Sequence, residues 1–401
     1  MPSVVSLFSG LGGLDLGLES AGWECVFATD LDPRAVESLR ANRGYSLAGG
    51  ARFLETAQIE QADARALAGR DILSRVGRRH GEITLLAGGP PCQSWSSAGH
   101  QLGFRDPRGQ LIDEYLRLAR EMDCRFLLFE NVRGLVTARG ADGVPGSALA
   151  WLREQLFALG WQSRVELLNA ADFGAPQRRV RVVLIGYRAG DAPQPPSPTH
   201  AKAATEAGLR PWRTLARSLA KLAPPVHEEV VRPSGNLAVE LATLPPGSGV
   251  KSAGKREATR PGGHWGYKQG AFVADPDLPA RTVTANGQQD WVRDPNLGLR
   301  KLTPRECAAL QTFPANWIVP GSRSDQYRLI GNAVPPLLAK HIGAALLASI
   351  APSTPQTSRW IGPAPLPEKL QSAIDYTQRE ERRNGDSRRD APSKRRTRLV
   401  A

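Results

Sequence analysis

Long apolar runs are missing from this sequence. None approaches the ~18 residues that a membrane-spanning helix requires. The start, Met1-Pro2-Ser3-Val4-Val5, has neither the charged opening nor the small-residue cleavage site of a secretory leader, and passes straight into a strand-like run. Cysteine is scarce, with Cys25, Cys92, Cys124 and Cys307 as the whole set, and no pair is spaced C-x-x-C. The six histidines form no ligand pattern around them. A disulfide framework and a zinc site are therefore not expected, nor any other metal. A reducing, cytoplasmic location fits this cysteine usage. Acidic residues are also in deficit, 39 against 52 Lys and Arg, for a net charge of +13. That excess points to a polyanionic partner, nucleic acid before membrane, because no amphipathic anchor is evident.

What is present is enough for more than one domain: 401 residues, 41% of them hydrophobic. Part of the basic excess sits at the end, since Arg379 to Arg398 holds nine Lys/Arg and four Asp/Glu. Residues 351–401 are Pro-rich and then charged, and the expectation is a disordered basic tail.

The chain begins as a βαβ unit. Val4 to Phe8 reads as a strand, Ser9-Gly10-Leu11-Gly12-Gly13 as a turn, Leu14 to Ala21 as a helix, and Glu24 to Thr29 as a second strand. Asp32-Pro33 supplies a cap and a first-turn proline for the next helix. Asp30, twenty residues after Gly10, is placed to bind ribose hydroxyls. The spacing is G-x-G-G, not the G-x-G-x-x-G of nicotinamide enzymes. Turn, strand and terminal acid together point to an adenosine-containing cofactor. Asp63, after a third strand near 58–62, is either an acceptor for an adenine amine or an ordinary exposed acid.

A fourth strand, Ile83 to Ala87, runs into Gly88-Gly89-Pro90-Pro91-Cys92. The thiol sits on a stiff exit from a parallel strand. Alone it reads either as a nucleophile or as a buried small apolar residue. Ser94 to Gln110 is a basic, glycine-containing loop suited to closing over a phosphate backbone. A fifth strand, Arg125 to Phe129, ends in Glu130, so four polar groups gather at four strand ends, where open α/β sheets bind ligands. Arg179 and Arg181, two apart in a later strand, share a face. They need an anionic or carbonyl partner, or else form edge-strand ion pairs. After Tyr187, prolines mark a linker. Gly262 to Lys268 mixes glycine, aromatics and a base, as nucleic-acid-contacting loops do.

With these residues in hand, the sequence resembles the DNA (cytosine-5)-methyltransferases of bacterial type. The peptides that carry the resemblance are Phe8-Ser9-Gly10-Leu11-Gly12-Gly13, Pro91-Cys92-Gln93, Glu130-Asn131-Val132, Gln177-Arg178-Arg179-Val180-Arg181, Leu302-Thr303-Pro304-Arg305-Glu306 and Gly331-Asn332-Ala333-Val334, in the family's order. Trp95 stands where the family usually has Phe. The resemblance implies an α/β fold: a Rossmann-like, S-adenosylmethionine-dependent domain over 1–187, a smaller target-recognition domain over 188–320, and a return segment over 321–350 that completes the first domain. It implies Cys92 as the nucleophile toward cytosine carbon 6, with Glu130, Arg179 and Arg181 as the other catalytic residues. Phe8, Gly10, Gly12, Gly13, Asp30, Leu31, Asp63, Ala64, Pro90, Asn332 and Ala333 would hold S-adenosylmethionine. Gln93, Ser97, His100 and Arg105 would contact duplex DNA. A monomer acting on double-stranded DNA in the nucleoid follows, with a cognate restriction endonuclease as a separately acting companion. Alternatives from the same residues are a tRNA cytosine methyltransferase, a nicotinamide-dependent oxidoreductase and a catalytically inactive DNA-binding scaffold.

Overall fold

The computed structural model describes residues 1–91, 111–188, 192–203, 208–252, 270–350 and 361–389, with side chains to 383 in the last segment. Cys92, Gln93, Ser97, His100 and Arg105, the loop Ser94 to Gln110, and Gly262 to Lys268 lie outside the described residues.

The frame is a seven-stranded sheet in the order β3-β2-β1-β4-β5-β7-β6. Its strands are β1 Ser3–Leu7, β2 Glu24–Asp30, β3 Gln58–Gln61, β4 Leu85–Gly88, β5 Phe126–Val132, β6 Gln162–Asn169 and β7 Val180–Tyr187. β1 to β5 are parallel, and β7 is antiparallel to both its neighbours. The order reverses at β1, which pairs with β2 on one side and β4 on the other. A crevice outside the carboxyl ends of β1 and β4 is the ligand position of such sheets.

The helices are α1 Gly13–Ser20, α2 Pro33–Ala41, α3 Gly69–Arg75, α4 Leu111–Met122, α5 Ser147–Ala158, α6 Leu215–Leu219, α7 Gly235–Thr243, α8 Pro304–Leu310, α9 Arg323–Asn332, α10 Pro336–Ala348 and α11 Glu368–Arg389. The sheet is sandwiched because its strands alternate. Val4, Leu85, Phe126 and Leu128 pack with Leu14 and Leu18 of α1 and Leu338, Ile342 and Leu346 of α10. Val5, Leu7, Leu86, Leu127 and Phe129 pack with α4 and α5 on the other face. Glu130 continues the alternation of Phe126 and Leu128, and Arg181 that of Val183 and Ile185, so both fall on the α1/α10 face.

α10 packs on α1 of the first βαβ unit. A Cβ on Gly17 would stand 2.3 Å from Ala339 Cβ, and Trp23 Nε1 donates to Gly343 O at 2.9 Å. The return starts before residue 321, however. Cys307, Leu310, Phe313 and Trp317 are buried with Leu11 and Leu39, and Trp317 Nε1 donates to Leu11 O at 3.3 Å. α8 begins with the capping box read from sequence: Thr303 bonds the Glu306 N–H, the Glu306 carboxylate bonds the Thr303 N–H, and Pro304 sits in the first turn. Within the intervening region, strands Ser248–Gly249, Phe272–Val273, Trp291–Asp294 and Gly298–Lys301 form a small separate sheet. Its own core contains Leu241, Leu244, Val273 and Trp291.

The expectation of disorder over 351–401 does not hold for 361–389. Leu370 and Ile374, one helical turn apart, are buried against the core that contains Phe129 and Leu135. Ile374 packs on Gly146, and Gln378 Nε2 donates to Pro145 O at 2.8 Å. Gln162 is bonded both to Gly362 O and to the Ala364 N–H. A two-residue apolar stripe is hidden by a composition that is otherwise charged. Ending the chain at residue 360 removes both side chains from the core, and should cost roughly 3–6 kcal/mol at about 1.5–3 each. Urea unfolding checks this; a midpoint equal to that of the full chain would refute the docking.

Candidate active site

The strand ends bring most of the expected residues to one edge. The turn after β1 is unusual in its backbone. Phe8 has φ +56°, Gly10 +54° and Gly12 +83°, the left-handed region that costs a non-glycine residue free energy. The turn is held by Ser9 N–H to Thr29 O at 3.0 Å and Gly12 N–H to Ser9 O at 2.9 Å. Gly13 is sterically required: a Cβ there would lie 2.1 Å from Val334 O. Asn332-Ala333-Val334 therefore presses directly on the glycine turn, and Asn332 is exposed beside it. At Gly10, by contrast, a Cβ would meet nothing closer than Phe8 O at 4.0 Å, so the space above the turn is open.

Asp30 braces this turn. Its Oδ2 accepts from Gly10 N–H at 2.8 Å and its Oδ1 from Asp32 N–H at 2.9 Å. Burial raises its pKa, and those two N–H groups pull it back. Each oxygen keeps lone pairs for further donors such as vicinal hydroxyls. Leu31, next to it, is 58% exposed, a large apolar side chain left uncovered at the edge. Asp63 is engaged locally. It accepts from Arg65 N–H and is paired with the Arg65 guanidinium at 2.6 Å, which lowers its pKa. Ala64, after it, is buried. A flat, hydroxyl-bearing, apolar-faced group such as the adenosine of S-adenosylmethionine suits this donor and acceptor set.

The second half of the site is built on β4, β5 and β7. Gly88 aligns with Phe129, so Gly89 falls beside Glu130, and a Cβ on Gly89 would stand 3.2 Å from Glu130 Oε2. Asn131 Nδ2 donates to Pro90 O at 3.2 Å and fixes the exit. Gly89 thus stands against the Glu130 carboxyl, three positions before Cys92.

Glu130 is 8% exposed. Arg181 Nε lies 3.0 Å from its Oε1. The contact is off a hydrogen-bonding line, so Oε1 is a buried acceptor with no hydrogen-bond partner among the described residues. Burial raises the pKa of Glu130, and the Arg181 and Arg179 charges oppose the rise. Arg179 is 1% exposed and precedes β7; it donates to Val283 O at 3.0 Å and Gly331 O at 2.7 Å. It thereby ties the catalytic sheet to two distant segments.

Sequence reading passed over several contributors. Asn131 is one. Gln177, fully buried, donates to Leu310 O at 3.0 Å and accepts from Val283 N–H at 3.1 Å. Tyr115 hydroxyl bonds Leu86 O and Leu128 O, spanning β4 and β5 just below the site. Asp15 and Glu19, four apart on α1, share one helix face, a spacing that could have drawn notice. Asp15 is buried behind the glycine turn and Glu19 is half-buried. Burial pushes Asp15 up to about 6, with the Ser6 and Ser9 hydroxyls opposing. It pushes Glu19 up to about 8, with the Leu54 and Cys25 N–H groups opposing. Each carboxyl keeps its proton in the folded chain over a range where the unfolded chain, at 3.8 and 4.5, has released it. Stability from this pair is full below both unfolded values. It falls as pH rises toward about 6 for Asp15 and about 8 for Glu19. Glu19→Gln should flatten the decline of melting temperature across that window, and identical profiles would contradict it.

Among the described residues no group of His, Cys, Asp and Glu is arranged to hold a metal ion, and no helix is long and apolar enough to cross a membrane.

Comparison with known proteins gives one picture. The family described as C-5 cytosine-specific DNA methylase matches residues 3–348. Type II methyltransferase M1.HphI of Haemophilus parahaemolyticus is 31% identical over 353 residues, covering 86% of each chain. Type II methyltransferase M.PspPI of a Psychrobacter species is 33% identical over 356 residues, covering 86% of this chain and 79% of its own. The S. pombe Dnmt2 methyltransferase structure superposes with a TM-score of 0.60 at 18% identity, over 88% of this chain and all of the other.

Proposed function

Because this chain belongs to the C-5 cytosine-specific DNA methylase family, we propose that it methylates carbon 5 of a cytosine flipped out of a short duplex sequence, through a covalent Cys92 adduct. The observation that carries the reading is the buried Glu130 carboxyl, with the Arg181 guanidinium 3.0 Å from Oε1 and the Gly89 exit against Oε2.

S-adenosylmethionine, when bound, supplies an electrophilic methyl group on a sulfonium. Its adenosine would be held by Asp30 through the ribose, by Asp63 and Ala64 at the adenine edge, and by Phe8 and Leu31 against the adenine face. Gly10, Gly12, Gly13, Pro90, Asn332 and Ala333 line the rest. Asp63 must share its lone pairs with Arg65 to do so.

Cytosine carbon 5 is too electron-poor to attack a sulfonium. The Cys92 thiolate would add to carbon 6 and push the ring's electron pair to carbon 5, which would take the methyl group as the donor sulfur is left a neutral thioether. Transfer of the carbon-5 proton to a base such as water would re-form the double bond and expel the thiolate. Glu130, whose carboxyl burial shifts toward the protonated form, donates to ring nitrogen 3 and accepts from the exocyclic amine. Arg181 faces the carbonyl oxygen at carbon 2, and Arg179 holds the β7 segment in place. A stacked base cannot reach such a pocket, so flipping costs a few kcal/mol. Gln93, Ser97, His100 and Arg105 contact the opened duplex.

The relatives' designation as Type II methyltransferases supports a restriction-modification role, with an endonuclease acting separately. The small sheet between residues 248 and 301 belongs to target recognition, and the catalytic unit resumes by Cys307. Offering labelled methyl donor with duplex DNA and, separately, with tRNA tests the reading. Incorporation into the duplex is expected; incorporation into tRNA alone would overturn it.

A further inference from the structure

A cavity of about 760 Å³ lies away from the catalytic edge. Ser20, the last residue of α1, lines it, whereas Gly12, at the head of α1, belongs to the glycine turn. On α1 the lining runs from Leu16 to Ser20, roughly 6 to 12 Å along the helix from Gly12. None of Asp30, Asp63, Glu130, Arg179 or Arg181 lines this cavity.

Its walls carry charge of one sign. Arg210, Arg213, Arg217 and Lys221 come from the chain through and around α6, and Lys340 from α10. No Asp or Glu is among the described lining residues. None of these five cations makes an ion pair in the described structure. Three other arginines in this part of the chain are ion-paired: Arg281 with Asp290, Arg300 with Glu306, and Arg305 with Glu229. Arg217 lies within α6, and Arg213 and Lys221 flank its two ends, so the short element brings all three to one wall. Tyr45, Leu16 and Leu337 give the same cavity an aromatic and apolar part. Gathering five like charges is unfavourable unless anions offset the repulsion. The volume is that of a ligand site.

We propose that this cavity is a second, non-catalytic phosphate-binding site. It takes phosphate groups on its cations and the sugar or base they carry against its apolar wall. A strand of DNA outside the catalytic cleft and a free nucleotide share that chemistry. The proposal rests on the methylase reading only in naming DNA as one source, and methyl transfer by the wild-type chain tests that reading separately.

The test uses the full chain and its Arg213→Gln/Arg217→Gln/Lys221→Gln variant, all three positions being exposed. S-adenosylmethionine binding reports that the variant is folded. Anisotropy of a labelled duplex is followed across a salt series, and binding of a fluorescent ATP analogue is measured beside it. For a DNA strand, the slope of log affinity against log salt falls by roughly 2–3 in the variant. For a free nucleotide, the slope holds and the ATP analogue loses affinity in the variant. An unchanged slope together with unchanged or absent analogue binding overturns the site. Should the triple variant fail to bind S-adenosylmethionine, Arg217→Gln and Lys340→Gln singly serve instead. Each should lower the slope by about 1 or weaken the analogue, and no change in either measure overturns the proposal.

Discussion

Cys92→Ala should abolish methyl transfer to duplex DNA while S-adenosylmethionine still binds. The other three thiols cannot substitute. Cys25, Cys124 and Cys307 are all buried, and burial pushes each thiol far above its ordinary pKa, so none forms a thiolate at neutral pH. By analogy with enzymes that lose their nucleophile, the expected loss is roughly four orders of magnitude or more. Calorimetry with the cofactor alone should be unaffected, because the glycine turn, Asp30 and the Gly13–Val334 contact do not involve the thiol. Residual turnover within tenfold of wild type would remove the covalent step from the mechanism.

Arg181→Ala is the second large effect. Its Nε sits 3.0 Å from Oε1 of the buried Glu130 carboxyl. Two consequences follow from one deletion. Charge developing on the base loses its nearest cation, a loss of roughly 2–4 kcal/mol by analogy with oxyanion-hole deletions, or about 30- to 1000-fold in kcat/KM. Glu130 also loses the largest influence opposing burial, so its pKa rises further. Where turnover falls as Glu130 gives up its proton, that limb of the pH profile should move to higher pH in Arg181→Ala and partly back in Arg181→Lys. A purely structural role would lower the rate without moving the limb. An unmoved limb with a rate within threefold of wild type would exclude the arginine from the chemistry.

Much of the frame was legible because its signals are local. Asp32-Pro33 reads as a cap and first turn, and Asp32 does accept from Arg34 N–H at the head of α2. Thr303-Pro304-Arg305-Glu306 reads as a capping box and is one. The glycine turn could be placed because its positive-φ positions at Gly10 and Gly12 exclude most other residues. Short apolar runs with punctuated ends located the strands, although β5 continues through Glu130 to Val132 rather than stopping at Phe129. The tail misled because charge dominates its composition, and two buried side chains were enough to dock α11.

By itself the sequence determined the local conformations and the chemistry at each strand end: a tight turn at Gly10 to Gly13, acids at Asp30 and Asp63, a thiol at Cys92, a carboxyl at Glu130. These follow from steric and hydrogen-bonding rules that act over a few residues. Only the tertiary structure decided which of them work on one another. Arg179 reaches Val283 and Gly331, more than a hundred positions away. Gly13 has to be glycine because Val334 arrives against it, and the carboxyls of Asp15 and Glu19 are shifted upward because the packing of α1 removes them from water. Those outcomes depend on packing between distant segments, where removal of water sets both the free energy and the charge state, and spacing along the chain carries no record of it.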